Sequence, residues 1–194
     1  MAIFHFPSSD HFSQRKYLRY LLFIGVSIIV IIVLSNIFKS SRDELDNRVQ
    51  IEGAKEVESL NREFNFPLKD NKGTEVSKIK IFIERAELRD QIIVKGQKAT
   101  AVRGRIFLIL TLKVTNEYSK PVEIETRDYI RLSVNGNENE WLVPDIHNDP
   151  VEVRGASTKI TRVGFPINDT DRNLLLQVGE IGGYKQKIEL SLNK

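Results

Sequence analysis

The densest cluster of side chains able to do chemistry is Asp145-Ile-His147-Asn-Asp149, held between Pro144 and Pro150. In an extended segment successive side chains alternate, so Asp145, His147 and Asp149 point the same way. Two carboxylates and an imidazole suit a divalent ion such as zinc or manganese, with Glu140 or Glu152 as a further ligand. The same residue types are ordinary turn formers, because Asp and Asn side chains bond to nearby backbone. His147 is the only histidine outside the N-terminal tail, so one copy of the domain cannot build a multi-histidine site.

A second set is Arg127, Tyr129 and Arg131, which share the polar parity of a run read as a strand. Arg and Tyr are typical of contact surfaces, so this stripe is the expected partner-binding face. Asp128 has the opposite, apolar parity, beside Thr126 and Ile130. It requires either a buried partner such as Arg103, Arg105 or Arg162, or a bulge at Thr126-Arg127-Asp128 that turns it outward. Trp141 reads as a core or edge-covering residue. The chain has no phosphate loop, nucleophile elbow, paired zinc ligands or dinucleotide fingerprint. Neither a cofactor nor an enzymatic activity is expected.

The elements that position these residues are strands. Past Asn65 the apolar pattern has period two. Ile79, Ile81 and Ile83 alternate with Lys80, Phe82 and Glu84. Over residues 104–116, Ile106, Leu108, Leu110, Leu112 and Val114 share one face. Phe107 and Ile109 open the other face, which then turns polar at Thr111, Lys113 and Thr115, as in a central strand with one end covered on both sides. A strand over 122–134 ends at Asn135-Gly136, a strong turn signal. Further strands are read at 141–143, 151–153, 158–167, 174–178 and 185–192. Eight or nine short strands without helical period imply an all-β, antiparallel sandwich of immunoglobulin type, with a small barrel as the alternative.

Several of these segments carry a family resemblance. Leu112-Lys-Val-Thr-Asn116, Tyr129-Ile-Arg-Leu132, Asn135-Gly136, Gly155-Ala-Ser-Thr158 and Val163-Gly-Phe-Pro166 resemble the bacterial extracellular immunoglobulin-like domains catalogued under a telomeric repeat-binding factor name. The resemblance spans roughly residues 104–192. It implies an exported domain behind a membrane or lipid anchor, with no established activity or site. The chain departs from the family in the long segment 144–150 and in lacking the lipidated cysteine that many members use.

The N-terminal quarter has a different character. Tyr20-Leu21-Leu22-Phe23-Ile24-Gly25-Val26-Ser27-Ile28-Ile29-Val30-Ile31-Ile32-Val33-Leu34-Ser35-Asn36-Ile37-Phe38 is 19 residues without a charge. As a helix it spans about 28 Å at about 1.5 Å per residue, close to a bilayer core. A cleavable signal peptide has a shorter apolar region ending in small residues, whereas this run ends Ile37-Phe38-Lys39, so an uncleaved signal-anchor is expected. Basic residues flank the run on both sides, and the positive-inside count is close to tied. The short tail and the position of all foldable chain after the helix favour a cytoplasmic N-terminus and an extracytoplasmic domain.

Residues 39–63 are charged, proline-free and rich in helix formers, with a sparse stripe at Leu45, Val49, Val57, Leu60 and Phe64. They are expected to form a solvated helical stalk. The expected organisation is a tail over 1–19, a membrane helix over 20–38, this stalk over 39–63 and the sandwich over 64–194.

Of 29 basic and 26 acidic residues, four and one lie in 1–39, leaving 25 of each sign beyond. The excess positive charge therefore sits beside the apolar run, where anionic lipid accounts for it, and a nucleic-acid partner is not expected. The chain has no cysteine, which excludes disulfides, thiolate chemistry and a lipoprotein anchor. An exported domain stabilised by packing alone suits a bacterial surface protein. The leading expectation is a membrane-anchored module binding a protein or surface ligand. A structural subunit of an envelope complex, or a metal-binding domain or enzyme centred on His147, are the alternatives.

Overall fold

The computed structural model describes residues 49–192 and, before them, only Ile28 and Ile31, both helical and exposed. Those two positions apart, the expected membrane span 20–38, the tail 1–19 and the stalk residues 39–48 lie outside the described residues. Among the described residues no helix is long and apolar enough to cross a membrane. The chain divides into two units, Met1–Arg48 and Val49–Lys194, and every described strand belongs to the second.

The alternating apolar residues of this second unit form antiparallel strands: β1 (Glu56–Lys69), β2 (Glu75–Arg89), β3 (Gln91–Val94), β4 (Gln97–Thr100), β5 (Arg105–Asn116), β6 (Val122–Ile124), β7 (Ile130–Ser133), β8 (Val151–Val153), β9 (Ser157–Asn168), β10 (Leu175–Val178) and β11 (Gln186–Glu189). One sheet has the order β1-β2-β5-β9, and a second has the order β11-β10-β7. Two short pairs, β3-β4 and β6-β8, complete the set.

The long β5 is central, as its sequence implies. Leu108, Leu110, Leu112 and Val114 are wholly buried. They pack with Ile81 and Ile83 of β2, Phe165 of β9, and Ile130, Leu132 and Leu176 of the second sheet in one apolar cluster. Truncating one such leucine to alanine costs about 2–5 kcal/mol. On the outer face Ile109 is also buried, and its Cδ1 lies where a side chain on Gly164 would stand. Glycine at 164 lets segment 144–150 cover this spot, and Ile146 bridges Gly164 through two backbone hydrogen bonds of 2.7 and 3.1 Å.

Three expectations are corrected. The helical stalk is absent wherever the structure describes it: residues 49–55 are irregular, and 56–63 belong to β1. Helix propensity is a weak preference, and here a ladder to β2 overrides it. A bulge explains the misleading spacing. Leu60 and Asn61 together oppose Glu84 alone, with Asn61 at φ 49°, so Leu60 and Phe64 reach the core at an interval that mimics a helical stripe. The folded unit consequently begins at Val49 and not at residue 64. Among the described residues eleven strands stand where eight or nine were expected: β1 and the β3-β4 hairpin lack a clear alternation of their own, the 122–134 run forms two strands, and the expected strand at 141–143 is only a bridge from Leu142 to Leu132. Finally, 122–134 is not one strand: β6 and β7 are separated by a 3-10 turn at Thr126–Asp128.

Candidate functional site

Asp149 organises the turn between β6 and β7. Its side chain has no exposure, and its carboxylate accepts from Thr126 Oγ1 at 2.6 Å and from the Arg127 backbone N–H at 2.8 Å. These bonds hold the 3-10 turn. Asp128 is left partly exposed, as the bulge alternative required. Tyr129 follows the turn and packs its ring on Phe66, with centroids 4.6 Å apart and planes 53° tilted.

Arg127, Tyr129 and Arg131 therefore do not share a strand face, a correction to the expected stripe. Arg127 sits in the turn and pairs with Glu125 at 3.4 Å. Arg131 lies on β7, and its Nη1 donates to the carbonyls of Ile130, at 2.8 Å, and Arg127. Tyr129 and Arg131 do converge, in a cleft of about 190 Å³ that Trp141, Gln177, Ile181 and Lys185 also line.

The loop between β10 and β11 forms one wall. Gly179 donates to the Tyr129 carbonyl at 2.9 Å. A Cβ at this glycine would stand 2.4 Å from the Tyr184 carbonyl oxygen, so only glycine lets the loop fold back here. Lys185 Nζ donates to the carbonyls of Ile181 and Gly183 at 2.8 and 3.3 Å, closing the loop on itself. On this pinned loop Ile181 is 66% exposed and Tyr184 87% exposed. Burial raises the Tyr129 phenol above its usual value, and the charges of Glu180 and Asp128 push it the same way. The phenol therefore stays neutral at ordinary pH.

The expected metal triad is not assembled. Asp145 is exposed and faces a different cleft, of about 420 Å³, with Arg105, Val143, Pro166 and Asp171. His147 Nδ1 accepts the Asp149 backbone N–H at 3.2 Å. Its 3.6 Å approach to Asp149 Oδ2 is not a hydrogen bond. The Asp149 carboxylate is instead committed to Thr126 and Arg127. Among the described residues no group of three or more His, Cys, Asp or Glu is placed to hold a metal ion.

Sequence reasoning missed Ile181, Tyr184 and Lys185. The strands read at 174–178 and 185–192 left residues 179–184 only as the connection between them. The available signal was an isoleucine and a tyrosine inside a turn too short to bury them.

No family model and no curated protein sequence matches the chain. Two solved structures are similar in fold. One is an uncharacterized β-sandwich protein from Clostridium difficile 630, 13% identical, with TM-score 0.50 and coverage of 74% of this chain and 99% of that one. The other is a conserved hypothetical protein from Bacillus anthracis, 15% identical, with TM-score 0.47 and coverage of 71% of this chain and 99% of that one. At such identities the likeness to the clostridial protein establishes the fold alone: the domain is an antiparallel β-sandwich.

Proposed function

We propose that the chain is a membrane-anchored, extracytoplasmic interaction module that offers the cleft beneath residues 179–185 to a protein or surface ligand. The observation that carries this reading is Tyr184, 87% exposed on a loop pinned by Gly179 and Lys185, beside a cleft lined by Trp141, Tyr129 and Arg131. Trp, Tyr and Arg are the residues that most often dominate binding energy when a partner covers them. Ile181 and Tyr184 contribute nothing to the core from these exposed positions, which supports reading them as contact residues.

The anchor is the uncharged run 20–38, and the resemblance to exported immunoglobulin-like domains belongs to the same reading. Position within the sandwich supports it. The Lys55 N–H bonds the Leu88 carbonyl, so the chain joins the sandwich at that level. The cleft lies at the level of Phe66, which pairs with Ile79. Leu88 and Ile79 are nine residue steps apart along β2, roughly 30 Å at about 3.3 Å per residue. The cleft is therefore at the end away from the tether.

The test uses full-length chain, extracted in detergent from its native membrane, as bait. Proteins or glycans retained by the natural chain and lost with Ile181→Ala plus Tyr184→Ala support the reading. Identical retained sets contradict it.

A further inference from the structure

The β3-β4 hairpin combines features that the core does not explain. It turns through Lys95-Gly96, both with positive φ (49° and 77°), the two-residue turn that matches strand twist. Ile93 is 44% exposed, Val94 39%, and Val102, just beyond β4, 71%. Lys95, Lys98, Arg103 and Arg105 are exposed on the same stretch, and from Gln91 to Arg105 there is no acidic residue. Ile93 and Lys98 face each other across the ladder, so aliphatic and cationic groups share one face. Exposed aliphatics interleaved with cations are the pattern of a surface that seats on anionic lipid headgroups.

The start of the domain is fastened to the root of this same hairpin. The Glu52 N–H donates to Gln91 Oε1 at 3.1 Å, and Gln91 Nε2 donates back to Glu52 Oε1 at 3.1 Å. Arg89 donates to the Glu52 carbonyl at 3.2 Å, and Lys55 pairs with Asp90 at 2.8 Å. The last residue of the apolar run is Phe38, 14 residues before Glu52. At no more than about 3.6 Å per residue, that length holds the hairpin root within about 50 Å of the bilayer surface.

We propose that the β3-β4 hairpin and Val102-Arg103 form a lipid-facing foot that rests on the anionic surface of the bilayer holding the anchor. The proposal rests on the anchored reading above. It deepens that reading by fixing which end of the sandwich faces lipid. Lys95, Lys98 and Arg103 meet phosphate headgroups, and Ile93, Val94 and Val102 enter the interfacial layer. The cleft at the opposite end then points away from the membrane.

The absence of cysteine makes a direct test simple. Full-length chain carrying Ile93→Cys or, as a control, Ile181→Cys is labelled with a polarity-sensitive fluorophore. It is reconstituted into vesicles of phosphatidylcholine, with or without phosphatidylglycerol, containing lipids with a nitroxide at the headgroup boundary. The expected result is several-fold stronger quenching at 93 than at 181 in the anionic vesicles. The difference should weaken in high salt and vanish with Lys95→Glu, Lys98→Glu and Arg103→Glu together. Equal quenching at the two positions, in chain that floats with the vesicles after an alkaline wash, overturns the foot and leaves the anchor standing. A blue-shifted but unquenched label at 93 also overturns it, because a protein surface or a second copy then covers the hairpin. Chain that does not float overturns the anchored reading and the foot with it.

Discussion

Two sets of polar contacts, one at each end of the sandwich, differ in how far they are buried. At the tether end the bonds among Glu52, Lys55, Arg89, Asp90 and Gln91 lie in exposed or half-exposed positions. Solvent competes with each of them, so individually they contribute little. At the far end two polar side chains are enclosed. Asn116 has no exposure. Its amide donates to the carbonyls of Lys120, Val153 and Arg154 at 2.8, 3.2 and 3.2 Å, and its oxygen accepts from the Tyr118 N–H at 2.9 Å. Asp149 is similarly enclosed. A buried polar group that loses its partner suffers a full desolvation penalty, so the Asn116 and Asp149 contacts should each outweigh those that fasten Glu52 and Lys55.

The largest effect should come from breaking the far end. Asp149→Ala leaves the Thr126 hydroxyl and the Arg127 N–H without their acceptor and should cost about 2–4 kcal/mol in urea unfolding. Asp149→Asn, which keeps one carbonyl oxygen, should cost less. Asn116→Ala should fall in the same range of about 2–4 kcal/mol. If either alanine variant unfolded at the natural midpoint, the contrast between the ends would be lost.

An intermediate case lies on the outer face of β2. Glu87 is buried there and bonds Arg85 and Arg89, each with a contact of 3.2 Å. Burial acts to raise its carboxyl pKa, but Arg89 and then Arg85 outweigh it and hold the pKa below the usual carboxylate range. A depressed folded pKa gives stability that is present above the unfolded value, near 4.5, and lost as pH falls through the folded one. Glu87→Gln should therefore lower stability at pH 7 by about 1–3 kcal/mol, and the gap from the natural protein should narrow toward pH 3. A gap independent of pH would contradict this origin.

Tyr129 should show a smaller effect of the opposite sign. Its folded pKa is raised, so its contribution is complete below about 10, the unfolded value, and lost as pH rises through the folded one. Stability of Tyr129→Phe should decline less above pH 10 than that of the natural chain, measured by chemical denaturation. The smallest effect is expected at the tether end, where Lys55→Ala should leave the unfolding midpoint unchanged within error.

Much of the fold was legible in the residues. β5 was readable because five aliphatic residues alternate without a break, and the strands read at 151–153, 158–167 and 174–178 overlap β8, β9 and β10. β1 was not, because the bulge at Leu60-Asn61 shifts its parity and its exposed half is charged. The 122–134 run was misread because its parity continues across a turn. Asp128 was the flaw in that pattern, and the bulge offered for it lies where the 3-10 turn forms. The site was less legible. Tyr129 and Arg131 were found by residue type, although on a strand face that does not exist. Asp149 was singled out as a metal ligand, whereas its carboxylate is bonded to Thr126 and Arg127; the bond to Thr126 connects residues 23 apart and leaves no mark in local spacing. Tyr184 becomes notable only once its exposure is known.

On this reading the far-end cleft meets a partner while the tether end faces lipid. A photoreactive amino acid placed at Tyr184, and separately at Val102, in full-length chain and irradiated in intact cells distinguishes the two ends. The expected result is a discrete adduct with another macromolecule from position 184, lost with Arg131→Ala plus Trp141→Ala, and only lipid adducts from position 102. Macromolecular adducts that form from 102 and not from 184 would contradict the account.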